Sequence, residues 1–148
     1  MFKLIDIPIW CYPIALLIFL ITQKVWKWEV GLLTAYIFLV LATTVIGRRP
    51  FEGLHFQPEL FWSWKMWNEP KEQILANIIM FIPIGIFGGR LWRWKALIFV
   101  AGLSFVIEVL QLITARGLFE FDDVIHNFIG AAIGIVITAL TIKLHSGE

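Results

Sequence analysis

A chain of 148 residues that is 59% hydrophobic and only 16% charged is not built like a soluble domain, in which roughly a quarter of residues carry charge. A formal net charge of +1 without an extended basic patch sets nucleic-acid binding aside. The single cysteine, Cys11, excludes an intramolecular disulfide.

About 20 apolar residues span a bilayer. Five such windows lie along the chain, over residues 7–22, 30–47, 74–89, 96–114 and 125–142. They take up most of its length. The expected architecture is therefore all-α: one integral membrane domain, residues 1–148, with about five transmembrane helices and one interfacial aromatic loop or short helix. Its expected place is the cell membrane, multi-pass, with lipids as its first partners.

The first window follows Asp6 and Pro8, precedes Gln23-Lys24 and lacks a small-x-small cleavage site, so it reads as a helix rather than a signal peptide. In the first two windows Thr22, Thr34, Thr43 and Thr44 can bond their own helix backbone. Gly47-Arg48-Arg49-Pro50 marks the end of the second, because a helix rarely continues into the residue before proline. Residues 51–73 form the longest connection. There Pro58 can open a short helix with Glu59 well placed by the dipole, and Phe61, Trp62, Trp64 and Trp67 give it an interfacial character. Pro70 separates it from the third window. In that window Pro83 removes a backbone hydrogen bond and crowds the carbonyl of Ile79. Gly85 with Gly89, and later Gly130 with Gly134, are small-xxx-small pairs that let helices approach closely. The tryptophans (Trp10, Trp26, Trp28, Trp62, Trp64, Trp67, Trp92 and Trp94) flank the windows as interfacial indoles do; only Trp10 reads equally well as core.

With five crossings, Lys3, Arg48, Arg49, Lys65, Lys71 and Arg116 fall on one side, and Lys24, Lys27, Arg90, Arg93, Lys95 and Lys143 on the other. The count is tied. The acid-free hairpin from Arg90 to Lys95 tips the orientation toward placing that hairpin in the cytoplasm.

The residue that stands out is Glu108, the one ionisable group in ALIFVAGLSFVIEVLQLIT, residues 96–114. A carboxylate at membrane depth costs ~2.5–3.5 kcal/mol on insertion scales and ordinarily faces a bundle interior or a wet cavity. Span parity puts Asn77, Glu108, Gln111, Arg116, Asp122, Asp123 and Asn127 in one leaflet, whichever way up the chain sits. Glu108 and Gln111 share a helix face, while Asp123, Asn127, Gly130 and Gly134 form another stripe. These residues are the candidate ligand-binding set. Structural roles compete: amides as interhelical glue, Asp122 or Asp123 as helix caps, and Arg116 as a neutralising partner for Glu108 or the aspartates. Glu108 and Asp123 are also candidates for acid–base chemistry. Asp122 and His126, spaced i, i+4, are weak metal candidates with Glu108 as a conceivable third ligand, but no metal motif of fixed spacing is matched. A lone histidine here reads more simply as a solvated side chain. No cofactor is expected, and no Ser-His-Asp, phosphate-loop or paired-cysteine pattern is present.

Three blocks then carry a resemblance: Asn77-x-x-x-Phe81-Ile-Pro83-Ile-Gly85, Glu108-x-x-Gln111, and Arg116 followed by Phe121-Asp122-Asp123-Val-Ile-x-Asn127-x-x-Gly130-x-x-x-Gly134. In order and spacing the chain resembles the VanZ-like family, with a motif core at residues 74–138. Upstream, His55-Phe-Gln-Pro58-Glu59 departs from the family's Asn-x-x-Pro-Phe-like stretch. The resemblance implies an envelope protein whose namesake gives low-level resistance to the lipoglycopeptide teicoplanin, and it implies that the motif residues above matter. Two classes of function follow. One is a non-enzymatic protein that binds or excludes an amphiphile, a lipoglycopeptide or a lipid-linked envelope precursor, through the polar cluster. The other is an intramembrane enzyme acting on a lipid-linked envelope substrate, with Glu108 as general acid or base.

Overall fold

The structure, a computed structural model, describes residues 7–50, 52–53, 56–57, 59–61 and 71–146. The expectations for His55, Pro58, Trp62, Trp64, Lys65, Trp67 and Pro70 lie outside the described residues.

The apolar windows become helices, since only there can a chain without water partners satisfy its own backbone. They are α1 (Cys11–Val25), α2 (Trp28–Leu41), α3 (Lys71–Trp92), α4 (Ala96–Thr114) and α5 (Phe121–Ser146). Two-residue strands, β1 (Phe56–Gln57) and β2 (Phe119–Glu120), pair with each other. The chain is mostly helical, as expected of an all-α fold; the short strands pair backbone groups of the connections, and two residues are too few to show an alternating pattern in the sequence.

Three helical runs are long and apolar enough to cross a membrane: Trp28–Ile46, Lys71–Thr114 and Phe121–His145. The 15-residue α1 is shorter. The middle run, 44 residues long, is not straight. Trp92 leaves the helical region at φ −130° and Arg93 is left-handed at φ 55°. A Cβ placed on Gly88 would lie 3.0 Å from that of Ala96. Eight residues of straight helix would separate those positions by ~12 Å, so the chain doubles back there and α3 and α4 are separate helices.

The chain divides into two units. The first comprises Met1–Gln57 with Val106–Phe119. In it α1 and α2 pack as a hairpin. Pro13 sits in the first turn of α1, where its missing N–H costs nothing. Thr22 and Thr34 bond their own helices as expected, and their hydroxyls also meet across the hairpin at 3.3 Å. Gly31 lets the Phe19 ring approach, a Cβ there lying 3.0 Å from Phe19 Cδ2. At its end α2 widens into a π-helical turn, Ala42–Ile46, closed by Gly47 N–H bonding Ala42 O at 2.7 Å. Thr43 and Thr44 sit in that turn with their hydroxyls on the carbonyls of Leu39 and Val40, competing with the ordinary helix ladder.

The second unit comprises Pro58–Phe105 with Glu120–Glu148. Its core is the contact between α3 and α5. A Cβ on Gly85 would run into the backbone of Ala131, one on Gly130 into the Ile78 carbonyl, and one on Gly134 into the Ile82 carbonyl. The partners advance by four on both helices (Ile78 with Gly130, Ile82 with Gly134), so the two run parallel. Thr138 Oγ1 donates to Ile86 O at 3.0 Å in the same seam. Helix α3 continues through Pro83.

Outward-facing Leu16, Leu17, Ile98, Ile113, Val136 and Ile142 are exposed, an exterior suited to lipid tails rather than water. Trp26, Trp28, Trp92 and Trp94 are exposed around helix ends. So is Trp10, at 50%, which removes it from the core.

Replacing Gly85 or Gly134 with alanine is expected to cost at least about 2 kcal/mol, because backbone rather than a flexible side chain must give way. Gly102→Ala, with nothing within 4 Å of its Cβ, is expected to be neutral or to gain up to ~1 kcal/mol. Thermal unfolding in detergent, followed by tryptophan fluorescence, compares them.

Candidate functional site

In the first unit the polar residues gather around the end of α2. The end of a helix leaves carbonyls without helical partners, and the end of α4 with the segment after it supplies donors. Gln111 Nε2 donates to Thr44 O at 3.2 Å, and Arg116 Nη1 donates to Val45 O at 3.3 Å and Ile46 O at 2.8 Å. A cation on the last carbonyls of a helix also complements its dipole. Among the described residues the Arg116 guanidinium thus meets carbonyls, not the carboxylates that the sequence offered it.

The backbone delivers Arg116 to this position. Helix α4 ends with Ala115 at φ 52°, Ala115 N–H bonding Leu112 O at 3.2 Å and Arg116 N–H bonding Gln111 O at 3.0 Å. That is a Schellman close, made with alanine where glycine would be unstrained. Gly117 follows, and a Cβ there would lie 2.6 Å from Gln111 Oε1. That oxygen is buried and has no hydrogen-bond partner among the described residues. Glu108 is 1% exposed, one turn earlier on the same face of α4 as Gln111.

The second unit holds the rest. Asn127 is buried on α5, and its Nδ2 donates to Ser104 Oγ at 2.7 Å. Its Oδ1 is buried without a hydrogen-bond partner among the described residues. Asn77 heads the buried stripe of α3 that continues through Phe81, Ile84, Gly85 and Gly88. It is 8% exposed, and its Nδ2 too has no hydrogen-bond partner among the described residues. Asp122 Oδ1 accepts the Phe61 N–H at 2.6 Å and holds that residue left-handed at φ 61°. Asp122 and Asp123 both lie in the first turn of α5, where the helix dipole favours anions. His126 Nδ1 stands 3.8 Å from Asp123 Oδ1. The histidine is 1% exposed, so the expectation of a solvated side chain fails: this end of α5 is covered. Among the described residues no three His, Cys, Asp or Glu side chains are grouped closely enough to hold a metal ion.

The sequence reading missed Ser104 and Gly117. Ser104 had a usable signal: with Glu108 and Gln111 it falls at i, i+4 and i+7 on α4, a polar stripe in an apolar helix.

Buried carboxylates and amides set into apolar helices of bilayer-spanning length define a small helical membrane protein. The chain belongs to the VanZ/LLP1 family, whose sequence model matches residues 9–142, most of its length. No curated protein and no solved structure matches it.

Arg116→Met keeps the apolar stem and removes the donors. It is expected to destabilise the fold by ~1.5–3 kcal/mol, the range for hydrogen bonds from a charged group. Ala115→Gly relieves the left-handed strain and is expected to stabilise by roughly 1 kcal/mol. Both are read from thermal unfolding of purified protein, and a neutral Arg116→Met would remove its capping role.

Proposed function

We propose that this chain is a multi-pass protein of the cell membrane that binds or excludes an amphiphilic ligand at one leaflet, and so contributes to low-level resistance to teicoplanin. One observation carries the reading. Asn77 Nδ2, Gln111 Oε1 and Asn127 Oδ1 are buried polar atoms without hydrogen-bond partners among the described residues. Each costs ~1–3 kcal/mol of desolvation if left so, and a ligand that supplies partners repays it. The proposed ligand contacts are Glu108 and Gln111 in the first unit, with Arg116 positioning Gln111's neighbourhood, and Asn77, Asp122, Asp123 and Asn127 in the second.

Five crossings are the topology that suits this reading. The doubling back at Arg93 makes two passes of the 44-residue run, and Ile9 and Trp10 extend the apolar surface of α1. The acid-free hairpin at Arg90–Lys95 favours the cytoplasm, which puts the polar residues at the outer leaflet. Teicoplanin, with an acyl tail that can seat in a membrane, is an amphiphile of the required kind.

A second reading has its own support. A carboxylic acid only 1% exposed, Glu108, is placed for general acid or base work on a lipid-linked envelope substrate.

Expression of the chain in a teicoplanin-sensitive Gram-positive host, beside Glu108→Gln at matched membrane level, tests both. The wild type is expected to raise the inhibitory concentration. Partial retention in Glu108→Gln supports a hydrogen-bonding role, and complete loss supports proton transfer. No resistance from the wild type would overturn the proposed contribution.

A further inference from the structure

We infer that the second unit binds the hydroxyl-rich, uncharged headgroup of a glycosyl lipid between Asn77 and Asn127. The inference rests on the amphiphile-binding reading and names the head that the amphiphile carries. It starts from the two orphan amides. From the contact of Gly88 with Ala96, α3 leads back 11 residues to Asn77, ~16.5 Å, and α4 leads on eight residues to Ser104, ~12 Å, at 1.5 Å per residue. Asn77 and the Ser104–Asn127 bond therefore lie within about one turn of each other along the helices. The contact of Ile78 with Gly130 gives a matching closeness on the other side: with the two helices parallel, it sets Asn77 opposite Ile129, two residues from Asn127. Two amides nine-tenths or more buried thus stand within about a turn of each other, one with a donor and one with an acceptor that have no partner among the described residues.

The chemistry of those atoms selects the ligand. A quaternary ammonium has no donor for Asn127 Oδ1. A primary ammonium has no acceptor for Asn77 Nδ2. A phosphate has acceptors, but it would enter an end of the unit that carries Glu59, Glu72, Glu120, Asp122 and Asp123 against Lys71 among the described residues, and like charges exclude it. A hydroxyl is donor and acceptor at once. Two on adjacent sugar carbons can serve both amides, and they do so whichever way each amide is turned. Asp123, 8% exposed in the first turn of α5, offers a further acceptor for a third hydroxyl.

The test uses full-length protein purified in a detergent without a sugar head. It is exposed to an equimolar mixture of dioleoyl glucosyl-diacylglycerol and dioleoyl phosphatidylglycerol, and retained lipid is read by native mass spectrometry. Phosphatidylglycerol is the informative competitor, because it carries hydroxyls on an anionic head. The wild type is expected to retain the glucosyl lipid about fivefold over its competitor, the factor for ~1 kcal/mol of net hydrogen bonding. Asn77→Leu and Asn127→Leu are each expected to abolish that preference while still eluting as folded protein. Preference for phosphatidylglycerol, or a glucosyl preference that survives both substitutions, overturns the inference and leaves amphiphile binding standing. Retention of neither lipid above background by the wild type overturns both.

Discussion

In the second unit, everything polar is placed by two helices touching backbone to backbone. Gly85, Gly130 and Gly134 leave no side chain between α3 and α5, so the seam is set by carbonyls and Cα atoms rather than by adjustable packing. Backbone contacts of this kind admit little sliding. They fix the level of Asn77 against Asn127 on α5, and through the Gly88–Ala96 turn they fix the level of Ser104 on α4. The glycines therefore act on the candidate site without lining it, and a methyl group in the seam would shift amides two turns away.

The first unit uses a different device for a related end. Its polar residues are anchored by a helix terminus that lacks partners of its own. The π-turn at Ala42–Ile46 presents carbonyls, and Gln111 and Arg116 come to them because α4 closes in a left-handed Schellman turn. Arg116 is in this sense a structural residue within the motif that carries the family resemblance. Gln111 divides its amide: the nitrogen is committed to Thr44 O and the oxygen is left over.

Much of the fold was legible because membrane helices announce themselves. Long apolar runs, the Gly47–Pro50 stop and the self-bonding threonines all appear where the sequence put them, since each depends only on neighbours along the chain. The glycine pairs were legible as close-packing positions, and the structure supplies their partners. Other features depend on events between distant segments. The π-turn leaves no composition signature, and Ala115 adopts a left-handed conformation that sequence reasoning reserves for glycine. Phe61 is held in the same region by the Asp122 carboxylate, 61 positions away. Of the candidate site, Glu108 was read from its cost in an apolar run and proves fully buried. Ser104 escaped notice because a serine is nearly neutral in such a run, and its meaning comes only from the Asn127 amide beside it.

The central claim is that buried amides are kept unpaired at a cost in stability, to be satisfied by a ligand. The most direct measurement is the unfolding free energy of Asn77→Leu against wild type, in detergent and without added lipid. Leucine is of similar size and has nothing to leave unsatisfied. The account expects the variant to be more stable by roughly 1–3 kcal/mol, the desolvation cost recovered. A variant less stable than wild type would contradict it, and would make Asn77 a structural partner instead of a binding group.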